Sequence, residues 1–383
     1  MVRISYPDEI QEFFSEIIPE IVKILNPEYV LIAGSFAKES WLYNSDLLIS
    51  DFEFEFICKK KWSNQKKKSL LQELNNKYSY DIDLKGHILS NVKNKIFSNF
   101  SSKKTKYISL NFYDTFCQPQ ILYSKNNMPF NIKMNIDEVP TWEAWRLFTN
   151  RQGELLEYFF ISNKKINEKY YWIKIFESIA DAYLIINKKY EKNISKKISN
   201  FNKELIDNDI EVSDTCRNSY DNIHKSLKAR EDHRLENYDI NLSKEKMLLV
   251  VKSWAKYFEN KLIDGENMPH YKNFYTSYLM SETIQRKYVE FTNRFNIESS
   301  NLIRLIKHPG LISFNFKFYN LNISWRHIIL LSISSMNDEF LNEKNEYRRT
   351  RSILNNILPK NTTNRLTNKE LEIMVINYWK ILR

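Results

Sequence analysis

The chain has 383 residues, 43% of them hydrophobic and 14% aromatic, which excludes a disordered or fibrous polymer and leaves room for two domains. Its formal net charge of +10 directs attention to phosphate-bearing partners, nucleotides or nucleic acid. The three cysteines, Cys58, Cys117 and Cys216, are too far apart for a zinc motif or a disulfide framework. No run approaches the ~18 apolar residues of a membrane helix and no secretory core opens the chain, so a cytoplasmic protein without a membrane partner is expected.

Residues 8–26 read as an amphipathic helix, with Ile10, Phe13, Phe14, Ile17, Ile18, Ile21, Val22 and Leu25 on one stripe. Pro19 lies inside it, where a kink or a break is expected, and Pro27 ends it. A strand follows over Tyr29 to Ala33, stopped by the turn Gly34-Ser35, with a short helix expected over Phe36 to Leu42. Asp51-Phe52-Glu53-Phe54-Glu55-Phe56-Ile57 alternates acid and apolar residue, so a strand would carry three carboxylates on one face and three phenylalanines on the other.

Six lysines fall between Lys59 and Lys68, and a helix is expected over Lys66 to Lys77. A third strand is read over Tyr78 to Leu84, again with acids on one face, then a helix over His87 to Phe97. The basic loop Ser101 to Lys106, with Lys103, Lys104 and Lys106, leads toward a last strand at Gln120 to Tyr123.

Beyond Pro140 the alternating runs stop and helical periodicity takes over. Helices are expected over Thr141 to Phe160 and Glu168 to Tyr190, and near 194–207, 214–232, 243–262, 270–293, 299–307, 325–341, 343–357 and 367–382. The expected class is α+β: a small mixed-sheet domain over 1–139, then a large all-α domain over 140–383.

Three side-by-side carboxylates repel one another, and the common reason for keeping them is a bound cation. Asp51 and Glu53, two residues apart on a strand, could hold magnesium, with a third acid from a neighbouring strand, Asp81 or Asp83, completing the site and serving as base. A turn with Gly34 and Ser35 offers backbone N–H groups and a hydroxyl to phosphate.

This order of apolar strand, Gly34-Ser35, Asp51-Phe52-Glu53 and a later acidic strand resembles the DNA polymerase beta-like nucleotidyltransferase superfamily over about residues 28 to 125. Phe112-Tyr113-Asp114 followed by Ile121-Leu122-Tyr123 is similar to its late turn and strand, and the remainder resembles the helical domain of kanamycin nucleotidyltransferase more loosely. The resemblance implies a nucleotidyltransferase domain in which Gly34 and Ser35 hold the β- and γ-phosphates. Asp51, Glu53 and Asp83 (or Asp81) would serve as metal ligands and base for two Mg2+ ions. The reaction implied is in-line attack of an acceptor hydroxyl on the α-phosphate of a nucleoside triphosphate such as ATP, releasing pyrophosphate. Arg151 is placed to reach phosphate from the second domain, and Lys174 and Asp181, two turns apart on the next helix, resemble positions where related helical domains face the cleft.

The chain departs from the family pattern in three ways. Ser35 and Asp51 are separated by 15 residues (36 to 50), the second acid is Glu53, and no glycine follows shortly after Gly34. Glu55 is assigned to the rim, Trp142 and Trp145 to the core, and no histidine to a role. The expected activity is magnesium-dependent transfer to a hydroxyl, with a small-molecule acceptor preferred. RNA or protein as acceptor, and a non-catalytic module of the same fold, are the alternatives.

Overall fold

Alternation in the acidic stretch builds the sheet on which the rest of the N-terminal fold rests. The computed structural model describes residues 5–93, 108–125, 134–160, 168–207, 212–240, 242–265, 325–341, 347–355 and 360–382. A small mixed sheet comes first and a mostly helical region follows.

The opening elements are α1 (Asp8–Leu25), β1 (Tyr29–Ile32), α2 (Gly34–Ala37), the two-residue strands β2 (Tyr43–Asn44) and β3 (Leu47–Leu48), and β4 (Phe52–Cys58). Next come α3 (Asn64–Lys77), β5 (Ile82–Ile88), α4 (Leu110–Phe116) and β6 (Gln120–Ser124). The four-stranded sheet has the order β5-β4-β1-β6. β1 runs antiparallel to β4 and β6, while β4 and β5 are parallel, joined by the crossover that contains α3.

Phe52, Phe54 and Phe56 are fully buried, together with Val30 and Ile32, beneath α1 and α3. From α1 the core receives Ile10, Phe13, Phe14, Ile17, Ile21 and Leu25, each contributing about 1.5–3 kcal/mol on burial. Pro19 neither splits nor ends α1. It lies on the exposed side, where the missing N–H faces solvent and the buried stripe on the other side carries the helix through. The opposite sheet face packs Tyr29, Leu31 and Ile57 against Val92 and Phe116.

Several boundaries differ from the sequence reading. β5 covers Ile82–Ile88, not Tyr78 to Leu84, because Tyr78 caps α3 and its N–H bonds to the Leu74 carbonyl. His87 and Ile88 are therefore strand residues rather than helix. The acidic strand begins at Phe52 and leaves Asp51 just before it. The helix expected over Phe36 to Leu42 is the single turn α2, and α4 and the β2–β3 pair appear where none was expected.

The Cα framework separates into two units. The first contains Met1–Val139, Tyr190–Asn200 and Lys228–Tyr238; the second contains Pro140–Lys189, Phe201–Leu227 and Asp239–Arg383. The first unit thus takes in two later segments that a single division at residue 140 would leave to the helical part. Segment 228–238 is secured to the first unit by His233, whose ring stacks on Trp41 at 3.8 Å, and by the Arg230 guanidinium, which donates to the Ser40 carbonyl at 2.9 Å. Tyr43 and Arg234 form an isolated parallel bridge.

In the second unit every described element is a helix: α5 (Trp142–Phe160), α6 (Glu168–Ile186), the second half of α7 (Ile194–Asp207), α8 (Asp214–Arg217), most of α9 (Tyr220–Glu231), α10 (Lys244–Gly265), α11 (Trp325–Leu341), α12 (Arg348–Leu354), α13 (Lys360–Arg365) and α14 (Asn368–Leu382). The helix expected over 214–232 is divided into α8 and α9. Trp142 and Trp145 are core residues, packed with Leu156, Leu371, Val375 and Trp379. The helices expected over 270–293 and 299–307, and the loop with Lys103, Lys104 and Lys106, lie outside the described residues. Among the described residues no helix is long and apolar enough to cross a membrane.

Candidate functional site

Gly34 stands at the point where β1 hands over to α2, with φ of 61°, a left-handed conformation that glycine adopts without penalty. The Ala33 N–H bonds to the Glu53 carbonyl at 2.8 Å, which ties the turn to the start of β4. A Cβ on Gly34 would lie 2.4 Å from Oε1 of Glu53. The glycine is therefore the surface against which Glu53 packs. The Ser35 hydroxyl is shielded from solvent and has no hydrogen-bond partner among the described residues, while its carbonyl accepts the Ser40 N–H at 2.9 Å.

Parallel pairing sets Glu53 directly beside Asp83. Asp81, the other candidate, precedes β5; its carbonyl accepts the Phe52 N–H at 2.8 Å and its side chain is exposed, as is that of Asp51. Gly34, Ser35, Asp51, Glu53, Asp81 and Asp83 thus belong to one end of the sheet, and the third carboxylate in register with Glu53 is Asp83.

Lys85 completes this end. Its Nζ is 2.9 Å from Oε2 of Glu53 and 3.7 Å from Oδ2 of Asp83. Burial alone would lower the pKa of this ammonium, but Glu53, Glu55 and Asp83 outweigh it and hold it raised.

Glu55 corrects the sequence reading. It is not a rim residue: it is 1% exposed, hydrogen-bonded to Nε2 of His87, and accepts from the Thr115 hydroxyl at 3.4 Å. A carboxylate is tolerated there because both oxygens have partners. His87, given no role from sequence, is that partner, and its ring meets Phe116 edge-on. Its position two residues beyond Lys85 is a signal for this role only once β5 extends to Ile88.

A basic cluster adjoins the Gly34-Ser35 turn. Lys38, which caps α2, pairs with Asp114 on α4 at 2.6 Å, and the Tyr190 hydroxyl donates to the same carboxylate at 2.9 Å. Lys197, fully buried, has its Nζ 5.6 Å from the Tyr190 ring centre, and Lys38 approaches that ring at 6.0 Å. Lys192 donates to the Gln118 carbonyl at 3.2 Å, and burial pushes its ammonium down to about 8. Asn193 bonds to Glu39 at 3.1 Å, fixing the 190–200 segment against the residues that follow α2. Nothing local in the sequence marks Lys192 or Lys197, because they come from a distant segment.

Arg151 and Lys174 belong to the second unit. Arg151 donates to Oε1 of Glu154 at 2.6 Å and Lys174 lies 3.6 Å from Oε2 of the same side chain. Glu154 holds the Arg151 guanidinium above its ordinary range. Both cations therefore have an acidic partner inside their own helix pair. Lys59, Lys60, Lys61, Lys66 and Lys68 are exposed, a solvated basic face.

Comparison of the chain with protein-family models, with curated proteins and with solved structures finds no match.

Proposed function

We propose that the first unit binds a nucleoside triphosphate and transfers its nucleoside monophosphate to an acceptor hydroxyl, with magnesium as the metal and a small molecule as the acceptor. One observation carries the reading: Gly34 packs against Glu53 while Asp83 lies beside Glu53 in register, so a phosphate-type turn and paired carboxylates meet at one end of the sheet.

The donor chemistry suits the ion. Among the described residues, no group of three or more His, Cys, Asp or Glu side chains is arranged to hold a metal by itself. Magnesium is commonly bound through one or two carboxylates together with substrate phosphates, and Glu53 and Asp83, with Asp51 adjacent, supply that number. When bound, the metal would neutralise phosphate charge and acidify the attacking hydroxyl.

The chain's own groups supply the rest. The Ser35 hydroxyl, without a hydrogen-bond partner among the described residues, is suited to donate to a phosphate oxygen. Lys38, at the end of α2, and Lys192, in electrostatic range of Lys38 and Glu39, supply positive charge near the turn for the departing pyrophosphate. The Asp83 carboxylate, half exposed, is available to accept the acceptor's proton.

The test is to incubate the full chain with each α-labelled nucleoside triphosphate, Mg2+ and a small-molecule extract, and to compare Asp51→Ala and Glu53→Gln. Label should pass to an acceptor with the wild-type chain and fall at least about a thousandfold in either variant. Equal labelling by wild type and variants would sink the assignment. Acceptor transfer that requires RNA, and weakens steeply with salt, would move the acceptor to nucleic acid.

A further inference from the structure

We propose that Lys85 is the built-in counter-cation of the Glu53–Asp83 pair, which a divalent metal must displace to enter, so that the chain loads metal by exchange of one cation for another. The inference rests on the reading of Glu53 and Asp83 as the metal-binding pair.

Two carboxylates directly opposite on neighbouring strands repel each other and destabilise the pairing. Lys85 lies two residues beyond Asp83 on the same face of β5 and diagonally across from Glu53, which lets one ammonium approach both acids, at 2.9 and 3.7 Å. The next acid along the face does not compete for it at hydrogen-bond range: Glu55 is occupied by His87 and Thr115.

Lys85 can also leave. Its side chain is 41% exposed, on a flexible four-carbon stem, whereas the Glu55–His87 pair behind it is buried on the acid's side. One of the pair's two negative charges is thus already neutralised without metal. A metal alone gains their attraction only after that ammonium has withdrawn, so metal and the negatively charged triphosphate are expected to bind with positive coupling.

The experiment uses the full chain and Mn2+ alone. Binding is read by electron paramagnetic resonance for wild type, Lys85→Met and Lys85→Arg. Lys85→Met should bind Mn2+ about tenfold or more tightly than wild type, and Lys85→Arg should resemble wild type. In parallel, acetylation of Lys85 by an amine-reactive reagent is followed by mass spectrometry, with exposed Lys68 as the control. Saturating Mn2+ should raise labelling of Lys85 severalfold and leave Lys68 unchanged.

Equal or weaker Mn2+ binding by Lys85→Met, no binding by any form, or Lys85 labelling that ignores Mn2+ would each overturn the proposal. Tighter binding by Lys85→Met in a chain that transfers no label would uphold the exchange and sink the enzymatic reading instead.

Discussion

Replacing Gly34 by alanine separates the site from the fold more cleanly than removing any acid. Two costs follow from the geometry. An L-residue at φ of 61° costs about 1–2 kcal/mol. The added Cβ would meet Oε1 of Glu53 at 2.4 Å and its Cδ at 2.9 Å, distances that no structure sustains. The atoms struck are the end of a flexible side chain, so Glu53 swings away rather than the backbone breaking.

Stability should therefore fall only by the backbone term, a drop in Tm of roughly 3–8 °C. Transfer should fall much further, by about a hundredfold, because a displacement of ~1 Å at a reacting centre costs that much. Differential scanning calorimetry and the labelled-triphosphate assay read the two effects on one preparation. A Gly34→Ala chain with wild-type transfer would refute the packing of Gly34 on Glu53 as a functional contact. A chain that fails to fold would refute the claim that Glu53 can yield.

Three further outcomes are expected. Glu55→Ala leaves His87 and Thr115 without their buried acceptor and should cost about 3 kcal/mol in urea unfolding, and a loss under 0.5 kcal/mol would return Glu55 to the rim. Lys192 titrates near 8 in the folded chain against an ordinary 10.5, so the unfolded chain holds more protons between those values. Folding stability should then rise with pH across that window, while binding of inorganic triphosphate weakens from pH 7 to 9 and does so less in Lys192→Met; identical pH profiles would count against the basic cluster. Gly153→Ala, far from these residues in sequence, places a Cβ 2.6 Å from the buried Trp379 ring; overpacking of about 1–3 kcal/mol outweighs the helix gain of about 1 kcal/mol, so thermal stability should fall.

The parts of the fold legible in the sequence are those governed by short periods. Phe52, Phe54 and Phe56 alternate with acids because one face of β4 is core, and that pattern survives any uncertainty about neighbours. The stripe on α1 is legible for the same reason. β5 is hard to place from sequence because Tyr78-Ser79-Tyr80 alternates as a strand does, while the strand itself carries Lys85 and Gly86, residues depleted in strands. Glu55 reads as a rim residue in the sequence because its burial depends on His87 and Thr115, 32 and 60 residues away. The lysines of the 190–200 segment were illegible in a stronger sense. A polar, lysine-rich stretch looks like a solvated helix face until the Gln118 carbonyl takes Lys192 and Glu39 takes Asn193.

The late arrival of two segments in the first unit has a consequence for how the protein is made. A chain leaving the ribosome exposes all six described strands by Ser124, yet the ring that covers Trp41 arrives with His233 and the hydroxyl bonded to Asp114 arrives with Tyr190. The nascent sheet must therefore wait, with Trp41 bare on one face, while more than a hundred further residues are translated. A recombinant fragment ending at Val139 would hold the same unfinished state permanently. Its stickiness in solution would report a missing closure rather than a faulty sheet, and the shortest sensible boundary for expressing this unit lies after Tyr238.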